Sequence, residues 1–185
     1  MDKKDILINL ARWAIASKLG IKYHLDVQKI KEQNSWLNNL GAVFVTLHKK
    51  DNHSLRGCIG SIIPHRSLFD DLIHNAKSSA FNDPRFPPLG KEEFDQIEIE
   101  VSILSEPQEI DYKNINDLKK QIHINQDGVI LKLGNYQSTF LPQVWQELPS
   151  FELFFSHLCQ KAGLSGDCLY HHPHIFTYQV IEYKE

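Results

Sequence analysis

The stretch Ile97-Glu98-Ile99-Glu100-Val101-Ser102-Ile103-Leu104 alternates apolar and polar side chains almost without a break. Successive side chains of a β-strand point to opposite faces. The pattern therefore predicts a strand with Ile97, Ile99, Val101 and Ile103 on one face and Glu98, Glu100 and Ser102 on the other. A strand with a single apolar face belongs to a sheet covered on one side, which is the habit of antiparallel sheets. The rest of the chain must supply that sheet with partner strands and with helices to cover its apolar face.

Helical spacing provides the cover. Ile6, Leu10, Trp13, Ala14 and Leu19 recur along Asp2 to Leu19, and Gly20 follows as a stop. Ser67 predicts an N-cap for a helix carrying Leu68, Phe69, Leu72, Ile73, Ala76 and Ala80, with Asp70 and Asp71 in the first turn, where carboxylates suit the helix dipole. Ser150 caps a third helix through Ala162, striped by Phe151, Phe154, Phe155 and Leu158, and Gly163 ends it. A shorter helix is expected within residues 111–120, from Asn114 or Asn116. Residues 21–40 read as a polar connector anchored at Tyr23, Leu25, Ile30, Trp36 and Leu37.

Gly41 to His48 is a near-continuous apolar run and predicts a strand covered on both faces. A polar turn, residues 49–53, leads into Leu55-Arg56-Gly57-Cys58-Ile59-Gly60, and a hairpin is the economical arrangement. Further strands are expected from Ile122, over Val129 to Leu133 after an Asp127-Gly128 turn, over Tyr136 to Leu141 after Gly134-Asn135, and over Ile175 to Tyr183. Strands and helices are mixed and several strands are joined by short turns. The fold class read here is α+β, a mostly antiparallel sheet with flanking helices rather than a doubly wound parallel one. There is no Gly-x-Gly-x-x-Gly and no phosphate loop of the Walker type.

Leu55 to Gly60 places an arginine, a cysteine and two glycines in one apolar run. On an ideal strand Arg56, Cys58 and Gly60 share a face, with guanidinium and thiol roughly 7 Å apart. A nearby cation favours thiolate, the reactive form of cysteine. Gly57 and Gly60 would let a ligand or a neighbouring backbone come close. The competing reading is structural, since free cysteine often serves as a small buried hydrophobe.

The chain has 185 residues, enough for one domain with a sizeable core. Its 20 Lys and Arg against 23 Asp and Glu give a net charge of -3, which argues against nucleic acid and anionic membranes as partners. No apolar run approaches the length of a membrane span. Met1 to Asp5 opens an amphipathic segment rather than a signal peptide. Cys58, Cys159 and Cys168 are an odd, sparse set that does not make a disulfide framework, so all three are expected to be reduced and the protein cytoplasmic.

Five motifs occur in order: Leu55 to Gly60, Asp83-Pro84-Arg85-Phe86-Pro87-Pro88, Ile97 to Ser102, Leu141-Pro142-Gln143-Val144, and Leu158-Cys159-Gln160-Lys161-Ala162-Gly163-Leu164. Together they resemble the AMMECR domain family, named after a human chromosomal region linked to Alport syndrome, midface hypoplasia and elliptocytosis. The resemblance runs from about Ala11 to Tyr183. It implies one α+β domain of two lobes with a cleft between them. It also implies partnership with a Memo-like protein and a radical S-adenosylmethionine protein, and hence a metabolic or modification step. Other roles suggested for the family lie in transcription or translation. The chain looks like a stand-alone microbial member, without the long N-terminal extension of vertebrate ones. It departs from the family at residues 134–140, where relatives carry a more Gly- and Leu-rich hairpin.

The candidate catalytic residues are Cys58, Glu98 and Glu100. Two carboxylates on one strand face can divide acid and base roles, although alternation usually means a solvated outer face. The candidate substrate-binding residues are Arg56, Gly57, Gly60 and Arg85, the last an arginine stiffened between prolines and suited to carboxylate or phosphate. An ion pair of Arg85 with Asp83 is its structural alternative. Cys159, Cys168, His171, His172 and His174 have the right chemistry for zinc, but their spacing is not a paired-ligand pattern, so no metal is expected. No cofactor can be named. The reading is an enzyme, or an enzyme subunit, acting on a small polar or anionic substrate. The alternatives are a non-catalytic module that binds protein or RNA through the same face, and a purely architectural motif.

Overall fold

The computed structural model describes residues 1–185, which divide into two compact units. Unit 1 is Met1–Glu106 with Ile181–Glu185, and unit 2 is Pro107–Val180. Strands pair antiparallel in both units, as the alternation requires.

In unit 1, helix α1 (Lys3–Leu19) starts at Asp2, whose carboxylate accepts from the backbone N–H of Asp5, and stops at left-handed Gly20. The connector that follows holds a second helix, α2 (Val27–Gln33). Strands β1 (Leu40–Lys49) and β2 (Leu55–Gly60) form the expected hairpin, followed by the two-residue strand β3 (Arg66–Ser67). Helix α3 (Leu68–Phe81) is capped by Ser67. Strand β4 (Ile97–Leu104) pairs with β1 along its whole length, and the sheet is completed by a further strand, Val180–Lys184, giving the order β2, β1, β4 and that strand. The core lies on one face. Val43, Val45 and Leu47 of β1 and Ile97, Ile99 and Val101 of β4 are fully buried with α1 and α3. Phe44, Thr46 and His48, on the other face of β1, are only half-buried, so β1 is not covered equally on both faces.

A buried polar stripe joins α3 to the sheet. Asp71, Asn75 and Ser79 recur every fourth residue and so share one helix face. Asp71 accepts from the Val43 N–H at 2.8 Å and from the Ser61 hydroxyl at 2.7 Å. Asn75 donates to the Val43 carbonyl at 2.9 Å. The Ser79 hydroxyl donates to the Val45 carbonyl at 2.7 Å and accepts from the Ile59 N–H at 2.9 Å. Val45 and Ile59 are register partners, so Ser79 bridges the ladder where β1 and β2 would bond each other. The helix can come this close because residue 57 is glycine: a Cβ there would stand 2.1 Å from the Ser79 carbonyl oxygen. At Gly60 the equivalent space is filled by the Phe44 ring.

Unit 2 has short strand β5 (Gln108–Glu109), helix α4 (Ile115–Gln121) capped by Asn114, strands β6 (Gly128–Leu133) and β7 (Tyr136–Phe140), helix α5 (Phe151–Lys161) capped by Ser150, and strand β8 (His174–Tyr178). The strand order is β5, β8, β6, β7. Two local expectations fail here. Residues 122–127 form no strand. The Asp127 carboxylate accepts from the His123 N–H and closes a turn, and Gly128 already belongs to β6. The run from Ile175 to Tyr183 is not one strand. It breaks at Gln179 into β8 and β9 (Val180–Lys184), and the two halves enter different sheets.

The expectation of three reduced cysteines is also overturned. Cys159 and Cys168 form a disulfide and only Cys58 is free. Left-handed Gly163 turns the chain after α5 and brings Cys168 back against the helix, a reversal that a count of cysteines does not contain. The inference from reduced cysteines to a reducing compartment therefore loses its premise. No helix is long and apolar enough to cross a membrane.

Gly57→Ala should destabilise unit 1 by at least about 2 kcal/mol, because a backbone carbonyl cannot step aside as a flexible side chain can. Ser79→Ala should cost about 1–3 kcal/mol by leaving a buried N–H and a carbonyl unpaired. Chemical denaturation of each variant measures both losses.

Candidate functional site

The β1–β2 register slips at the start of the motif. Leu47 faces Gly57 and His48 faces Leu55, so Arg56 is an extra residue in a bulge. The expected shared face of Arg56 and Cys58 therefore does not form. The Arg56 guanidinium is buried, donating from Nε and from a terminal nitrogen to the two oxygens of Glu93 at 2.8 and 3.0 Å, and to the Pro87 carbonyl at 3.0 Å. Glu93 also accepts from the Gly90 N–H, and Arg56 holds its carboxyl below the usual glutamate range. This ion pair fastens β2 to the loop after α3, while the other terminal nitrogen of Arg56 is buried without a partner.

Cys58 lies on the other side of the motif, half-buried. The Thr46 hydroxyl donates to its sulfur at 3.3 Å. Register places Cys58, Thr46 and Glu100 in one row across β2, β1 and β4, and His48 stands opposite Glu98 one step along. Glu100 is mostly covered, with His48 Nε2 at 3.8 Å and Lys184 Nζ at 3.3 Å from the same carboxylate oxygen. His48 Nδ1 faces the His53 carbonyl at 3.2 Å, so this nitrogen carries the proton in the neutral ring and Nε2 is left as the acceptor. Glu98 is more open and pairs with His53 at 3.1 Å.

β2 is an edge strand, and at Cys58 its open side is closed by side chains. The Asp83 carboxylate accepts from the Cys58 N–H at 2.9 Å, and Arg85 donates to the Cys58 carbonyl at 3.3 Å. Asp83 is buried and bound to Arg85 through Nε at 3.0 Å and a terminal nitrogen at 2.7 Å, while more than half of the Arg85 side chain is exposed over the Phe86 ring. The cation that Cys58 feels is thus Arg85, not Arg56. It does not activate the thiol. Burial pushes the Cys58 thiol up, and Asp83 and Glu100 add to that rise, against the lowering by the Thr46 hydrogen bond and Arg85.

The sequence candidates thus separate. Cys58, Glu98, Glu100 and Arg85 attach to one sheet face and its edge. Arg56 turns away into a structural pair, and the room at Gly57 and Gly60 is taken by the chain itself. Thr46, His48 and Asp83 join the set. Thr46 was hidden in an apolar run, although its alternation with Val45 and Leu47 is a face signal. Asp83 was weighed only as a partner for Arg85.

Residues 8–183 match the AMMECR1 family model. The chain belongs to the AMMECR1 family. A protein of Sulfurisphaera tokodaii is 42% identical over 88% of the chain and 73% of its own length. Protein MK0488 of Methanopyrus kandleri is 35% identical over 100% of the chain and 90% of its own. In the crystal structure of the uncharacterized protein PH0010 from Pyrococcus horikoshii, the fold recurs with a TM-score of 0.80 at 34% identity, over 97% of this chain and 89% of that one. The α+β class with antiparallel sheets, expected from the sequence, is thereby established.

Because the Cys58 thiol is raised, it stays neutral at pH 7. Iodoacetamide should modify it more slowly than a free cysteine at that pH, and the rate should climb only as the pH passes the ordinary thiol value of 9.0. Labelling faster than free cysteine at pH 7 would show that an activating base or cation has been missed.

Arg85 holds the Asp83 carboxyl well below its ordinary 3.8. A depressed carboxylate stabilises the fold fully above its unfolded value and loses that contribution as the pH falls through the folded one. Asp83→Asn should cost about 2 kcal/mol near pH 7, and the gap to wild type should close on acidification below 3.8. Denaturation at stepped pH measures the gap.

Proposed function

We propose that this AMMECR1-family protein is an enzyme, or the subunit of one, that receives a small polar or anionic substrate on the sheet face carrying Cys58, Thr46, Glu100 and His48, and acts on it by proton transfer rather than by thiolate attack. The observation that carries this reading is the cross-strand row of Cys58, Thr46 and Glu100 with His48 beside it. His48 Nε2, with its other nitrogen fixed by a backbone carbonyl, is the proton acceptor. Glu100 stands beside that nitrogen at 3.8 Å, and Lys184 pairs with the same carboxylate oxygen at 3.3 Å. Cys58 serves as a neutral hydrogen-bonding group. Arg85, already ordered by Asp83, meets an anionic group of the substrate at low entropic cost. Glu98 holds the β1–β2 turn through His53.

The setting is part of the proposal. The family resemblance supplies a Memo-like protein and a radical S-adenosylmethionine protein as the neighbouring steps. A cytoplasmic location follows from those partners and no longer from the cysteines.

The test is complementation of a deletion strain, read by untargeted metabolite profiling. Wild type should clear the metabolite that accumulates. Glu100→Gln and His48→Gln should each lower the clearance at least about tenfold, while Cys58→Ser should retain most of it, since a hydroxyl replaces a neutral thiol. Equal clearance by Glu100→Gln and wild type would remove the face from the chemistry. A strain that accumulates no metabolite but loses a bound protein or RNA in the Glu100 variant would turn the reading to a binding module.

A further inference from the structure

Unit 2 holds a pocket of about 380 Å³ at the free edge of its sheet, where residues 109–112 run beside the start of β8. That volume is within the range of small-molecule sites. No lysine or arginine lines it: beside the Tyr112 hydroxyl, which is spent on the Pro173 carbonyl, its polar side chains are two carboxylates and two histidines. His172 Nε2 lies 3.0 Å from the Tyr112 carbonyl, so that nitrogen is the donor and Nδ1 of the neutral ring is left as an acceptor. His174 Nδ1 donates to Glu109 Oε1 at 2.6 Å. Glu109 keeps its second oxygen, and the Asp111 carboxylate is exposed and takes no partner within the chain. Lys132 stands opposite His174 across the ladder, but its ammonium lies over the Phe176 ring, 5.1 Å from the centroid.

The pocket also has an aromatic wall. The His172 ring stacks on Tyr112 with centroids 4.3 Å apart and planes 8° from parallel. Tyr112 is itself pinned by its hydroxyl to the Pro173 carbonyl. His172 holds this position with a left-handed backbone, φ 52°.

A ligand for such a wall must bring the donors and the positive charge, and a flat one can use the aromatic face. We propose that this pocket binds a small organic cation rich in N–H groups, a guanidinium or an amine, with Asp111 and Glu109 taking the charge and the Tyr112–His172 stack taking its face. It lies wholly in unit 2 and is independent of the sheet face in unit 1.

Agmatine, which carries both groups, serves as the probe, titrated into the full chain and followed through the histidine ring resonances. Those of His172 and His174 should move saturably, while exposed His157 stays in place. Asp111→Asn is the deciding variant, because that carboxylate has no structural partner to lose, and it should weaken the affinity about tenfold. His172→Asn, which tolerates a left-handed backbone, should weaken it as well. Tetramethylammonium, a cation without donors, should produce no saturable shift. The proposal fails if tetramethylammonium moves the same resonances equally, if Asp111→Asn binds agmatine as wild type does, or if no saturation is reached below ~20 mM.

Discussion

The approach of α3 to the β1–β2 seam is the constraint on which unit 1 rests. A helix normally covers a sheet with apolar side chains and leaves the ladder to itself. Here three polar side chains in a row, Asp71, Asn75 and Ser79, are sealed from water and bond the backbone of β1 and of the β2 segment. Each is satisfied, which is what makes a buried polar stripe tolerable. The contact demands a residue without a side chain at position 57, and the chain provides one. The most unusual hexapeptide in the sequence is therefore shaped in large part by packing.

That packing sorts the charges of the motif region. Arg56 spends its guanidinium on Glu93 and Pro87 inside the fold, and Asp83 spends its carboxylate on Arg85 and on the backbone of Cys58. The polar side chains left over stand on the far face of the sheet. There a neutral thiol, a hydroxyl, an imidazole and a carboxylate stand in adjacent positions on three strands, with Lys184 balancing the carboxylate. Such a face can bind polar groups and pass a proton. It is poorly arranged for covalent attack by sulfur, because the imidazole sits against Glu100 rather than against Cys58.

Most helices and strands were legible because their cause is local. Ser67 and Ser150 are caps, Gly20 is a stop, and the period of two in β4 is a face. The failures have non-local causes. One extra residue in a bulge moved Arg56 off the face of Cys58, and alternation cannot register a bulge before the partner strand is known. Ile175 to Tyr183 has continuous strand character, yet only the division into two sheets shows the break at Gln179. The Cys159–Cys168 bond depends on a reversal after α5. At the site, Cys58, Glu100 and Arg85 could be picked out by type. Thr46 could not, because a strand read as covered on both faces gives no reason to look at its second face.

The break at Gln179 also orders events during synthesis. Unit 2 is one uninterrupted segment, Pro107–Val180, that lies in the sequence between the two segments of unit 1. A ribosome that has released residue 180 has released every part of unit 2, including both halves of its disulfide, while unit 1 still lacks most of an edge strand. Arg12 waits as well: its guanidinium, deep against the Phe94 and Ile97 carbonyls, has Glu185 as its counter-ion. A buried cation without that carboxylate is costly. Unit 1, begun first, is thus complete only with residues 181–185, whereas every residue of unit 2 is already made.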